Sequence, residues 1–440
     1  MTKLRFNNFL ILRFALEKYT MKSLYNLFVR LMIFGMKVFS LVDAKTKKGI
    51  RGRKQSLEIV RNAFSFYDKV LLMHASSLGE YEQGLPVLEK LKEQFPDNKV
   101  LITFFSPSGY DNVRKKKHIA DAICYLPFNK KKNVQEFVSS FDCQIFFTVK
   151  YDYWYNLLSE LKNRGAKLYV ISALFYEHQI FFENYGKWFS KQLKSNIDWF
   201  FHQTIKSSAL AKSVGLTNSS VSGDTRFDRV KQFLESDNHL EFIKEFKGHR
   251  KLIVFGSSWH AEEDIAQLLV KKLPAAKFAI APHDLQRVPH LLKLFPNAVL
   301  YSSLSNSPTF QLSNCPILII DSIGKLSKLY SYADLAVVGG GFHSAGLHNI
   351  LEAAVYGVPV IFGNHYQKNP EADHLILAKG GKSFDDFVTA AAFIEEVMKE
   401  DLTAAEDDVS YLKEMAKNAG DFVQSQPNST EIILKKILSL

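Results

Sequence analysis

The chain has 440 residues, too many for one ordinary core and enough for two domains of about 200 residues each. Its hydrophobic content of 47% and charged content of 23% are those of a globular protein, and Cys124, Cys143 and Cys315 show neither metal-ligand spacing nor a disulfide framework, which fits a reducing compartment. A net charge of +11 raises the question of nucleic acid, but residues 1–54 hold 13 Lys and Arg against Glu17 and Asp43 and account for all of it, so no nucleic-acid partner is expected.

The N-terminal segment is basic and apolar together. In "SLYNLFVRLMIFGMKVFSLV" (23–42), Leu24, Leu27, Phe28, Leu31, Phe34, Val38 and Leu41 share one helix face, with Lys22, Asn26, Arg30, Lys37 and Ser40 on the other. A secretory signal is disfavoured, because no small-x-small cleavage site follows and the basic "KTKKGIRGRK" comes next. A packed N-terminal helix is one remaining reading. A membrane-surface anchor over 1–54, held on anionic lipid, is preferred. Met21 stands as a second candidate start.

Beyond the arm, apolar runs alternate with helical stretches. The expected strands are 69–74, 99–105, 144–149, 167–172 and 198–203, then 251–256, 277–282, 298–302, 317–321, 335–339 and 358–363. Continuous apolar runs separated by helix-length segments predict parallel sheets covered on both faces. Two series predict an α/β protein with two doubly wound, Rossmann-like domains at 55–225 and 251–440, joined by a charged helical hinge at 226–250. Ligands then belong beyond the carboxyl ends of the strands, in a shared cleft.

The most informative stretch is "VVGGGFHSAGLHNILEAAVYGVPVIFGNH" (337–365). Gly339, Gly340 and Gly341 follow a strand, where bare backbone can approach a phosphate. His348 and Asn349 lead into a helix, and Glu352 one turn in is placed to accept two ribose hydroxyls. Near the N-terminus, "HASSLGE" (74–80) is a strand opening into a small-residue loop that ends on Glu80. Glycosyl transfer with inversion needs a carboxylate beside the attacking hydroxyl, and Ser76, Ser77 and Gly79 leave room for a sugar. A solvated first-turn carboxylate is the plainer alternative for Glu80.

The run at 337–365 resembles the donor-nucleotide motif of GT-B glycosyltransferases, specifically the bacterial 3-deoxy-D-manno-octulosonic acid (Kdo) transferases. His348, Asn349, Glu352, Gly357, Pro359, Gly363 and His365 match that family's pattern, while Ala345-Gly346-Leu347 replaces its glycine pair and Asn364 its proline. "HASSLGE", "TFFSPSG", "YLPFN", "SGDTRFD", "GSSWHAEED" and "APHDLQRV" resemble further family segments in the same order. One departure stands out: where the family reads E-T-E-L-W-P-N, this chain has Lys150 for the first Glu and Asp152 for the second.

The resemblance implies GT-B architecture, with CMP-Kdo as donor and a lipid A precursor as acceptor. It implies Glu80 as general base, with Ser76, Ser77, Ser106 and Asp152 on the acceptor side. On the donor side it implies the Gly339–Gly341 turn, His348, Asn349 and Glu352, with Ser257 and Ser258 near the phosphate. His283 and Arg287 would add positive charge, and Arg226 would reach in from the hinge. No D-x-D triplet is present, so no metal or other cofactor is expected. The expected location is the cytoplasmic face of the inner membrane. Two other readings stay open: a soluble GT-B-shaped sugar-nucleotide epimerase, and a non-catalytic membrane scaffold with a degenerate site. "RKKKH" (114–118) reads as a solvated helix face or a contact for an acceptor phosphate, and the aromatic 181–201 as core or as a seat for acyl chains.

Overall fold

Every expected strand forms, and all pair in parallel. The structure, a computed structural model, describes the backbone of residues 2–306, 315–344, 346–403 and 409–440, with side chains for 20–304, 315–344, 346–403 and 409–440. Met1 and Ala345 lie outside the described residues.

The first sheet holds β1 (Lys69–Ala75), β2 (Lys99–Phe104), β3 (Ala122–Tyr125), β4 (Asp142–Val149), β5 (Lys167–Ala173), β6 (Trp199–His202) and β7 (Ser219–Val221). Their order is 3-2-1-4-5-6-7. The second holds β8 (Leu252–Ser258), β9 (Lys277–Pro282), β10 (Val299–Leu300), β11 (Ile317–Ile319), β12 (Leu335–Val338), β13 (Val360–Gly363) and β14 (Gly381–Phe384), in the order 10-11-9-8-12-13-14. Central strands such as β1 and β8 are buried on both faces, as continuous apolar runs require. In both sheets the strand order reverses beside the first strand, which opens a crevice at the carboxyl ends of β1 and β4, and of β8 and β12.

The chain divides into two compact units, though not at the expected limits. Unit 1 is Met1–Arg229 with Pro427–Leu440, and unit 2 is Val230–Gln426. The first crossing therefore falls inside the helix Thr225–Glu235, and the last residues do not belong to the second domain as expected for 251–440. The reason is packing. The helix Ser429–Leu438 places Ile433, Leu434 and Ile437 in the core of unit 1, with Leu85 and Leu88. Its first amides, Ser429 N and Thr430 N, donate to the Asp228 carboxylate at 3.2 and 2.6 Å.

Before the first sheet come α1 (Thr2–Phe39) and α2 (Ala44–Ala63), the latter capped by Asp43, which accepts from Thr46 N at 2.6 Å. No helix among the described residues is long and apolar enough to cross a membrane. One face of α1 packs on unit 1: Val29 and Ile33 are buried, and Tyr25 and Asn26 bond to its body. Asn26, expected on the solvated face, thus belongs to the docked one. The face carrying Leu24, Leu27, Phe28, Leu31, Phe34 and Val38 is left exposed, Phe34 by 66%. The aromatic stretch 181–201 resolves as core: Phe181, Phe200 and Phe201 are buried, and Trp188 and Phe189 pack on Tyr25.

Candidate active site

In unit 1 the crevice is built by three loops that leave the carboxyl ends of β1, β2 and β4. After β1 the chain turns through Ser76 and Ser77 into α3 (Leu78–Gln94). Ser77 caps that helix by accepting from Glu80 N at 3.4 Å, and the Glu80 carboxylate accepts from Ser76 N at 2.6 Å. Ser77 thus fixes the Glu80 backbone and Ser76 its carboxylate at the helix start, so the carboxylate has a defined direction. Ser106, the cap of α4 (Pro107–Arg114), donates its backbone N–H to Ser76 O at 2.9 Å. Asp152, in the loop after β4, accepts from the Ser76 hydroxyl and from His74 Nε2, the latter at 2.7 Å.

Glu80 and its four acceptor-side candidates therefore stand together. Electrostatics separates the two carboxylates. Burial first, and the neighbouring Asp152 charge second, raise Glu80 above the usual carboxylate range. Burial would raise Asp152 too, but the hydrogen bonds from His74 and Ser76 outweigh it and hold its carboxyl low. Asp152 is thus a fixed anion, and Glu80 a carboxylate with increased proton affinity.

His74 is the residue that sequence reasoning passed over. It opens "HASSLGE" but looked like strand core, and indeed it has no exposed surface. Its Nδ1 faces the Thr103 hydroxyl at 2.9 Å and its Nε2 faces Asp152, so the ring ties β2 to the β4 loop. A titratable ring after the apolar run Val70–Met73 is by pattern the same as a satisfied core histidine. Lys150, the other departure from the family pattern, sits in the left-handed region at φ 63°, and its charge partly counters the rise in Glu80.

Other motif residues turn out to fasten elements. Asn129 Nδ2 and the Tyr155 amide both donate to Tyr25 Oη, at 2.6 and 3.1 Å, and Asn156 Nδ2 donates to Asn26 Oδ1 at 2.9 Å. The asparagines of "YLPFN" and "KYDYWYN" therefore seat α1. Arg226, expected on the donor side, lies in unit 1 and pairs with Asp224 at 2.6 Å, while Asp224 also accepts from Gln83 of α3 at 2.6 Å. The Asp224 carboxylate thus links Arg226 to α3, one turn beyond Glu80.

In unit 2 a cavity of about 330 Å³ opens at the ends of β8 and β9, lined in part by Ser257, His283, Asp284 and Ser322. Ser257 adopts φ 52°, a strained value for a residue other than glycine, which turns the loop sharply after β8. Next to it, Ser258 is buried, and among the described residues neither its hydroxyl nor the buried Ser322 hydroxyl has a hydrogen-bond partner. Trp259 stacks on His283 at 4.6 Å, and His283 lies 4.7 Å from His348, so the β8, β9 and β12 loops converge. Asn349 Nδ2 donates to Glu352 at 3.2 Å and Asn349 Oδ1 accepts from Leu351 N, which fixes Glu352 at the start of the short helix Leu351–Ala354.

Two donor-side expectations change. Two of the three glycines do not present bare amides: Gly339 N donates to Gly256 O and Gly340 N to Glu262. They are glycines because a Cβ at 339 would collide with Ser257 O, and one at 341 would lie 2.7 Å from Gly363 N. Their service is close packing of loops. Positive charge is also not supplied as expected. Burial lowers His283, and burial with two neighbouring imidazoles lowers His348 to about 4, so both are neutral at pH 7. Arg287 is neutralised by Glu263, with Nε–Oε1 at 2.9 Å. The two glutamates of "GSSWHAEED" are thus structural: Glu262 holds the Gly340 turn and Glu263 holds Arg287.

Comparison with known proteins gives this geometry a family. Residues 48–229 match the family model described as 3-Deoxy-D-manno-octulosonic-acid transferase (kdotransferase). A 3-deoxy-D-manno-octulosonic acid transferase of Chlamydophila psittaci is 26% identical over 318 residues, 71% of this chain and 73% of its own length. A bifunctional glycosyltransferase/methyltransferase of Fusobacterium nucleatum is 27% identical over 76% of this chain, which spans only 54% of that protein. Among solved structures, the UDP-GlcNAc 2-epimerase of Neisseria meningitidis bound to UDP-GlcNAc matches with a TM-score of 0.58 at 17% identity, over 84% of this chain and 100% of that one, a likeness of fold. Residues 48–229 thus match the 3-deoxy-D-manno-octulosonic acid transferase family, and with its relatives this makes the chain a glycosyltransferase of GT-B fold.

Proposed function

We propose that the chain transfers Kdo from CMP-Kdo to a lipid A precursor, with inversion and without a metal, at the cytoplasmic face of the inner membrane. The observation that carries this reading is the raised Glu80 carboxylate, held by Ser76 N and set against the low Asp152, in a chain whose relatives bear the name of that transferase. The Glu80 carboxylate takes the proton from an acceptor hydroxyl, and the freed oxygen bonds to the anomeric carbon of the donor. The bond from that carbon to the phosphate oxygen breaks, and the nucleotide leaves with the electron pair.

Ser257 and Ser322, which line the unit 2 cavity, suit the phosphate of a CMP-linked sugar, and Glu352 suits its ribose. The exposed apolar face of α1, followed by the basic α2, suits an anionic membrane surface from which a lipid acceptor approaches. The test is incubation of the full chain with CMP-Kdo and a tetraacyl disaccharide bisphosphate, reading product mass. Gain of Kdo with release of CMP supports the reading, and no mass change in either overturns it.

A further inference from the structure

A cavity of unit 1, whose lining does not include Glu80, lies between α2 and α4 with a volume of about 730 Å³. From α2, Lys47, Lys48 and Arg51 face it, spaced along one side of the helix. From α4 come Arg114, its last residue, and Lys115 just beyond. These are the basic ends of two sequence runs, "KTKKGIRGRK" and "RKKKH", which the fold brings to one hollow.

The opposing charge is small. Asp111 is the acidic residue of the lining and pairs with Lys48 at 2.6 Å. Among the described residues, Lys47, Arg51 and Lys115 have no carboxylate partner, and Arg114 reaches only the Tyr110 hydroxyl at 3.3 Å. Four cations with no carboxylate partner around one cavity repel each other unless an anion enters.

The hollow is also built. Its floor is Tyr125, whose ring lies so close to α2 that a Cβ at position 52 would collide with it, and Gly52 has none. The Tyr125 hydroxyl is buried and has no hydrogen-bond partner among the described residues. Arg53, on the inner face of α2, is buried and donates to Phe105 O, just before Ser106 at the head of α4, at 2.6 Å. The two helices that form the walls are thus bolted together.

We propose that this cavity is a phosphate subsite, taking a phosphomonoester through Arg51 and Arg114 as the forked donors, with Lys47 and Lys115 as point charges. The volume exceeds what one phosphate needs, leaving room for the group that carries it. The carrier is a lipid headgroup or a soluble phosphate. The phosphorylated glycolipid acceptor proposed above has such a group; that link rests on the proposed function, whereas the subsite rests on α2 and α4 alone. Arg114 stands about 12 Å along α4 from Ser106, at 1.5 Å per residue, so the subsite and the Glu80 loop are two stations on one surface of unit 1.

The test compares binding of the full chain to phosphatidylcholine vesicles containing phosphatidate, a phosphomonoester, or phosphatidylglycerol, a diester, matched for surface charge. It adds calorimetry with inorganic phosphate, and repeats both with Arg51→Ala/Arg114→Ala. A preference for phosphatidate, reduced about ten-fold or more in the variant, supports a lipid-borne phosphate. Phosphate binding lost in the variant, with no vesicle preference, supports a soluble one. Absence of both in the wild type, or a preference unchanged in the variant, overturns the subsite. Gly52→Ala, which displaces Tyr125 without altering charge, should weaken the same signal; equal thermal melts show that the fold is kept. None of these readouts involves transfer, so failure here leaves the catalytic reading standing.

Discussion

Asp152 Oδ2 lies 2.7 Å from Nε2 of the fully buried His74, and the same carboxylate accepts from Ser76, whose amide holds Glu80. One anion therefore anchors the loop that aims the Glu80 carboxylate and also raises its proton affinity. Asp152→Asn keeps the shape and removes the charge. Without that charge the Glu80 pKa falls, and since the base works ionised, the acid limb of the rate profile moves to lower pH. The maximal rate should fall about ten- to a hundred-fold, because His74 and Ser76 lose a charged acceptor. A pH–rate profile of the variant checks both, and an acid limb that stays put contradicts the coupling.

Glu80→Gln should lower the transfer rate about 10²–10⁴-fold with CMP-Kdo affinity nearly unchanged, because the base acts on the acceptor. A variant that retains more than about a tenth of the rate removes Glu80 from the chemistry.

Glu352→Ala should do the reverse. A hydrogen bond to a charged acceptor contributes about 1.5–3 kcal/mol, so CMP affinity should fall roughly ten-fold or more, read by calorimetry. EDTA should leave the wild-type rate untouched, since the chain lacks a D-x-D triplet; inhibition reversed by magnesium would reject that expectation.

The N-terminal arm needs a different variant from simple removal. Deleting residues 1–54 would take Arg53 from beneath the β2–α4 loop and cut α2 in half, so loss of function would be ambiguous. Leu27→Ser/Phe28→Ser/Leu31→Ser/Phe34→Ser changes only the exposed face and leaves the Tyr25, Asn26, Val29 and Ile33 dock intact. Each such side chain contributes about 1.5–3 kcal/mol when buried, so vesicle association should drop far more than ten-fold with the thermal midpoint retained. Undiminished pelleting would place the anchor elsewhere.

The central strands were legible because parallel strands buried on both faces must be apolar without interruption, as in "VLLM" of β1 and "LIVF" of β8. The strands not foreseen were short ones away from the sheet centres: β3 has four residues, β7 reads "SSV", and β14 reads "GKSF". Glu80 and Asp152 were legible through a motif, but His74 was not, because a buried titratable ring in a strand is indistinguishable by pattern from a satisfied core residue. The basic run of α2 hid one residue of opposite fate: Arg53 turns inward while its neighbours stay at the surface. The helical period shows that it faces away from Arg51, though not which face the core takes.

The return of the last helix to unit 1 bears on the order of synthesis. Ile433, Leu434 and Ile437 complete the core against α3, yet they leave the ribosome only after all of Val230–Gln426. At about 5–20 residues per second, roughly 200 residues of unit 2 take about 10–40 s, during which the α3 side of unit 1 has no cover. A nascent chain stalled before residue 427 should therefore expose this apolar strip to chaperones, and a stop codon there should leave unit 1 unfinished while unit 2 is already complete.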